Sequence, residues 1–98
     1  MNKVKLGREA EILVADFYRS KNYNILKMNY CIRGGELDLI AENDKQRIFI
    51  EVKLVNHTQH LHEYITHHKI TALQRTIQHF QYHYPSDKAI RLDVAFVR

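Results

Sequence analysis

The sequence predicts one α/β domain with the element order α-β-β-β-α-β. Two stretches, one near each end, repeat apolar residues at helical spacing. Four further stretches alternate apolar and polar residues with the period of a strand. Gly34, Gly35 and Pro85 fall between these stretches and not inside them. A chain of 98 residues favours a single domain over 1–98 with one modest core. Three meandering strands, preceded by a helix and followed by a helical crossover, imply a mixed sheet flanked by helices.

The first helix is expected from about Gly7 to Asn22. Leu6, Ala10, Leu13 and Phe17 form its apolar stripe, and Glu11, Val14 and Tyr18 run along the edge of that stripe. Tyr23 to Cys31 is the first strand, and Arg33-Gly34-Gly35 is a hairpin turn whose glycines supply positive φ. In the second strand, Glu36 to Glu42, alternation puts Leu37, Leu39 and Ala41 on one face and Glu36, Asp38 and Ile40 on the other. Asn43-Asp44-Lys45 turns the chain into a third strand, Arg47 to Val55. There Ile48, Ile50, Val52 and Leu54 oppose Phe49, Glu51 and Lys53. Asn56 to Glu63 reads as a polar, histidine-rich loop. Thr66 caps a second helix that runs to Tyr84 with Ile70, Leu73, Ile77, Phe80 and Tyr84 as its core stripe, and Pro85 ends it. Ile90 to Val97 is the closing strand.

Bulk properties narrow the function. The apolar fraction is 45% and the charged fraction 27%, ordinary values for a globular domain. No run approaches the roughly 20 apolar residues of a membrane span, and the N-terminus has no signal-peptide core, so no membrane role is expected. The one cysteine, Cys31, cannot form an internal disulfide, which fits the cytoplasm; it reads as a buried strand residue. A net charge of +4 favours a polyanionic partner such as nucleic acid.

Within this basic chain the acids are local. The second and third strands are hairpin neighbours, so period-two spacing lets Asp38, Glu51 and Lys53 converge on one sheet face. Hard divalent cations favour carboxylate oxygens, and a lysine beside them can neutralise charge on a reacting phosphate. The competing reading is a solvated face with ordinary cross-strand ion pairs. Ile40 and Phe49 share the face, which implies that it is covered and that its carboxylates need a partner or an ion.

Gly34-Gly35-Glu36-Leu37-Asp38-Leu39-Ile40 and Ile48-Phe49-Ile50-Glu51-Val52-Lys53 resemble the YraN family of small bacterial proteins. Gly7 with Glu11, Asn29, Ile65 to Lys69 and Arg91-Leu92-Asp93-Val94 extend the resemblance over nearly the whole chain. That family is placed with restriction-endonuclease-like folds of the PD-(D/E)XK type and is similar to archaeal Holliday-junction resolvases. The resemblance implies a single nuclease-like domain in which Asp38, Glu51 and the Val52 carbonyl hold Mg²⁺ or Mn²⁺. It makes Lys53 the catalytic lysine and brings Glu11 from the first helix toward the metal or its water. Lys69 in the first turn of the second helix, with Arg33 in the hairpin, would contact nucleic acid. Two positions depart from the family's usual pattern: Val55 stands where an arginine is common, and Val14 where a small alanine is common. The chain also ends soon after the closing strand, where relatives usually continue.

The remaining polar residues read as structure. Glu36 either supports the site or caps the turn, and the structural role is favoured. Arg91 and Asp93 share a face and are expected to pair. Of seven histidines, His57, His60 and His62 cluster, His67 and His68 adjoin, and His79 with His83 has i,i+4 spacing; a zinc site is the minority reading. Tyr64, Tyr82 and Tyr84 with Phe80 offer stacking surfaces, but Phe80 and Tyr84 belong to the core stripe. The expected function is thus a metal-dependent endonuclease acting on DNA in preference to RNA, including branched or repair intermediates, with a homodimer as its expected assembly. The alternative is a nucleic-acid-binding module that keeps the fold with little or no catalysis.

Overall fold

The computed structural model describes residues 3–55 and 66–98. The elements are α1 (Lys3–Ser20), β1 (Asn24–Ile32), β2 (Gly35–Glu42), β3 (Gln46–Leu54), α2 (His67–His83) and β4 (Ala89–Val97). The expected α-β-β-β-α-β order is present. The four strands form one sheet in the order β1-β2-β3-β4. β1 pairs antiparallel with β2, and β2 antiparallel with β3. β4 pairs parallel with β3 after the α2 crossover, which makes the sheet mixed. The expected histidine-rich loop, with His57, His60 and His62, lies outside the described residues, and so does Tyr64.

Alternation on β2 and β3 feeds two apolar layers. Leu39, Ala41, Ile48 and Ile50 pack with Val14, Ala15 and Tyr18 of α1. Leu37, Ile40 and Phe49 pack with Leu73 and Phe80 of α2. The helices therefore cover opposite faces. Leu37 joins the α2 layer and not the expected Leu39–Ala41 face. Regular alternation breaks between Leu37 and Leu39, at Asp38.

α1 departs from the expected orientation. Its buried residues are Ala10, Val14, Ala15 and Tyr18, while Leu13 and Phe17 are 60% and 56% exposed. The seating face is the neighbouring stripe, because alanines let the helix backbone approach the sheet. Leu13 and Phe17 instead line, with Ala95 and Phe96 of β4, an apolar groove of about 620 Å³. Tyr18 fixes this rotation by donating its hydroxyl to Asp93 Oδ2 at 2.6 Å. Arg91 completes the expected pair with Asp93, Nε to Oδ1 at 2.8 Å.

The helix ends follow capping chemistry. α1 begins before Gly7 and closes with Asn22 in the left-handed region, φ 69°. Tyr23 N–H reaches Tyr18 O and Asn22 N–H reaches Arg19 O, the paired bonds of a Schellman motif. Thr66 caps α2 as expected, its side chain accepting from Lys69 N–H at 3.1 Å. In the β1–β2 turn only Gly34 has positive φ, 89°; Gly35 is needed for space, because a Cβ there would collide with Thr76 of α2. At the far end of α2, buried Arg47 donates to Glu42 Oε1 (3.1 Å), Gln81 Oε1 (2.5 Å) and Tyr84 O (2.7 Å). That anchor ties the start of β3 to the end of α2.

Candidate active site

The site forms where the β2–β3 ladder stops. Residue pairing runs from Glu42↔Arg47 to Leu39↔Ile50 and ends there. Beyond it the Val52 N–H has no β2 carbonyl as partner. The Asp38 carboxylate takes that role, accepting from Val52 N at 2.7 Å. This bond replaces a ladder rung with a side chain and holds Asp38 against the β3 backbone, next to Glu51. The break in alternation at Asp38 is the local cause.

β1 contributes a second irregularity opposite the first. Asn29 lies between the pairs Tyr30↔Leu37 and Met28↔Leu39 and has φ 55°. Asparagine is one of the few residues that tolerate this region. Its amide stands against the Glu11 carboxylate and favours the charged form of that acid. A cavity of about 220 Å³ opens beside them, lined by Val4, Gly7, Arg8, Glu11 and Asn29. It has room for several waters.

Glu11, Asp38 and Glu51 thus meet from α1, β2 and β3. Burial raises the Glu51 pKa to about 8, and the hydrogen bond and charge of Asp38 add to the rise; Lys53 opposes it and Glu36 reinforces it. Burial also raises Glu11, with the Asp38 charge next in weight. Lys53 Nζ stands 3.9 Å from Glu51 Oε2. Lys69 joins from the first turn of α2. Contact with the Lys53 amine, then burial, holds its pKa below the ordinary lysine value, while Glu51 and Asp38 pull it back up. One end of the sheet therefore gathers three carboxylates and two amines, with a fourth carboxylate, Glu36, acting on them by charge.

Of the expected site residues, the structure brings together Glu11, Asp38, Glu51, Lys53 and Lys69, with the Val52 backbone clamped among them. Arg33 is apart, exposed in the β1–β2 turn. Val55 is buried and its N–H donates to Val97 O at 2.9 Å, so that position serves the sheet. Sequence reasoning gave Asn29 no role in the site; its position opposite Asp38 across a hairpin was the available signal. Cys31 was expected to be buried and is exposed, its thiol 3.6 Å from Glu36 Oε2. It sits at the end of the edge strand β1, where no helix covers it. Among the described residues, no group of three or more His, Cys, Asp or Glu is arranged to hold a metal ion. The His79 and His83 ring centres lie 4.5 Å apart with tilted planes, and His79 Nδ1 is engaged by the Tyr30 hydroxyl at 2.6 Å. No helix among the described residues is long and apolar enough to cross a membrane.

A model of the uncharacterised protein family UPF0102 matches residues 10–97. The chain belongs to the UPF0102 family. The matched span includes Glu11, Asp38, Glu51, Lys53 and Lys69. A UPF0102 protein of Carboxydothermus hydrogenoformans is 45% identical over 53 residues, 54% of this chain and 45% of that protein. In that alignment the chain spans less than half of the relative's length. A UPF0102 protein of Campylobacter hominis is 34% identical over 80 residues, 82% of this chain and 71% of the relative. A third UPF0102 protein, from Leifsonia xyli subsp. xyli, is 34% identical over 94 residues, 93% of this chain and 80% of the relative. This is the YraN-like family to which the motif blocks pointed.

Proposed function

We propose that this UPF0102 chain is a metal-dependent endonuclease-type domain that acts on DNA phosphodiesters in the cytoplasm, on a restriction-endonuclease-like fold. The observation that carries the reading is the contact of the Asp38 and Glu51 carboxyls beside Lys53. A carboxylate raised to about pH 8 by burial and a neighbouring acid is a group in need of a cation. The donor chemistry fits a hard divalent ion: two strand carboxylates, Asp38 and Glu51, with the Val52 carbonyl and water completing an oxygen shell. Bound Mg²⁺ or Mn²⁺ would supply Lewis acidity and lower the pKa of water at the phosphodiester.

The chain's own residues do the rest. Asp38 is fixed by Val52 N–H, so its orientation is set before any ligand arrives. Glu11 adds a carboxylate from the other side, able to hold a water by hydrogen bonding. Lys53 carries positive charge on the same face as Glu51, where negative charge develops on a phosphate. Lys69 places a second amine within reach of that oxygen cluster.

Incubation of branched and single-stranded DNA with Mg²⁺ or Mn²⁺ tests the reading. Metal-dependent cleavage should fall by at least about a hundredfold in Asp38→Ala. Equal cleavage by wild type and Asp38→Ala would refute it. One observation favours the non-catalytic alternative: Val55 is buried in the sheet, so no guanidinium enters the site from that position. A binding module would show salt-sensitive DNA binding that survives Glu51→Ala and no cleavage.

A further inference from the structure

Neither α2 nor β1 contains a single aspartate or glutamate. Residues 17–35 and 64–86 are both free of acids, although the chain holds 11 of them. The fold lays β1 and α2, which lie within these stretches, side by side. Tyr30 of β1 bonds His79 of α2 and packs edge-on against Phe80 at 5.1 Å. Arg75 Nη1 reaches Gly34 O in the hairpin at 3.4 Å. Lys27 Nζ lies 5.5 Å from the Tyr84 ring centre. The surface between α2 and the edge strand β1 is therefore basic, with Arg33, Arg75 and Lys27 on it and exposed His79 and His83 between them. Among the described residues, carboxylates appear only at its two ends. Glu36 faces Cys31 near the site, and Glu42 is engaged by Arg47 and Lys88 at the far end.

Helical geometry orders this flank. Arg75, His79 and His83 recur every four residues, roughly 6 Å apart along the axis, on the side that faces β1. Lys69 opens the same helix beside Glu51 and Lys53, about 21 Å before His83 along the axis. The Arg75 guanidinium and the His79 and His83 imidazoles thus line up away from the carboxylate cluster at a pitch comparable with successive phosphates of an extended strand. Two exposed rings end the line: Tyr82 is 81% exposed, and Tyr84 is 45% exposed with its inner face stacked on Phe80 at 4.7 Å. Exposed tyrosines beside a basic track suit unpaired bases, which every stacked pair in a duplex withholds.

We propose that the α2–β1 flank is a track for a single nucleic-acid strand, running from the Lys53–Lys69 end of the site to Tyr82 and Tyr84. The proposal deepens the nuclease reading, on which it rests for its choice of partner. It assigns that site a substrate with an unpaired arm. Arg75 and Arg33 hold phosphates near the site, His79, His83 and Lys27 hold them farther along, and Tyr82 stacks a base.

Binding of a labelled oligothymidine strand, and of a duplex of equal length, is measured by fluorescence anisotropy in EDTA across a salt series, so that cleavage does not intervene. Circular dichroism checks each variant's fold. The wild type should bind the strand more tightly than the duplex. Tyr82→Ala should weaken strand binding by about five- to a hundredfold. Arg75→Glu should weaken it and reduce the salt slope by roughly 0.7 or more. Lys21→Glu, at the end of α1 on the opposite face, should change it by less than about twofold. Strand binding unaffected by both Tyr82→Ala and Arg75→Glu would overturn the track, as would duplex binding that is tighter and indifferent to Tyr82. A wild type that binds no DNA at low salt would sink the track and the nucleic-acid reading together. Strand binding through this flank without cleavage under Mg²⁺ or Mn²⁺ would remove only the nuclease reading.

Discussion

Without a divalent cation, the protein should lose stability as pH rises from about 4.5 to about 8. The reason is Glu51, whose carboxyl is shifted from an ordinary value of 4.5 to about 8 in the folded chain. Between those values the folded state holds a proton that the unfolded chain has released. The slope of unfolding free energy with pH is then negative, and it flattens above about 8. Glu11 is raised as well and acts in the same direction. Each pH unit is worth about 1.4 kcal/mol per group, so the ceiling for Glu51 alone is roughly 5 kcal/mol. Partial access to solvent returns part of that, leaving about 2–3 kcal/mol. For a domain of this size the melting temperature would fall by about 10–20 °C. The assay is thermal and urea unfolding in EDTA across that window, repeated with Mg²⁺. Glu51→Gln should flatten the curve and be the more stable protein near its upper end. Mg²⁺ should also flatten it, adding about 2.7 kcal/mol at a hundredfold excess over its dissociation constant. Stability that is level or rising across the window in EDTA would refute the reasoning.

Three further outcomes follow from named contacts. Arg47→Met leaves Glu42, Gln81 and the Tyr84 carbonyl without their shared donor and should cost about 3 kcal/mol in urea unfolding, against less than about 1 kcal/mol for the exposed, ion-paired Arg19→Met. Gly35→Ala should destabilise more than Gly34→Ala, since the first drives a Cβ into the Thr76 hydroxyl and the Ala72 carbonyl, whereas the second adds the strain of a side chain at φ 89° but meets only the flexible tip of Arg75; equal losses by calorimetry would contradict this. Lys53→Met should lower metal-dependent DNA cleavage by about 10²- to 10³-fold while leaving the melting temperature within a few degrees. A collapse of both together would make Lys53 a structural residue.

Much of the fold was legible because its signals are local. Period two on β2 and β3, Thr66 before α2, and Pro85 after it each act within a few residues. Hairpin adjacency was enough to bring Asp38, Glu51 and Lys53 to one end of the sheet, though not to show how Asp38 is held there. The orientation of α1 was less legible, because two adjacent stripes are both apolar. The small side chain of Ala15 beside Val14 and Tyr18 decided between them by letting the helix sit close to the sheet, and Leu13 and Phe17 were left in an apolar groove. Gly35 looked like a turn residue, yet its constraint comes from Thr76, forty-one residues away. Arg47 read as the start of a strand and proved to be a buried anchor whose partners lie on other elements. Asn29 and the end of the β2–β3 ladder depend on strand pairing, which no single segment encodes.

Metal binding between Asp38 and Glu51 is what the proposed chemistry needs first. Crystals soaked in Mn²⁺ and measured at the manganese absorption edge test it directly. An anomalous peak should lie between the two carboxylates, within oxygen-ligand distance of both and absent in Glu51→Gln. No peak there at saturating Mn²⁺, or manganese bound only at the histidines, would contradict it.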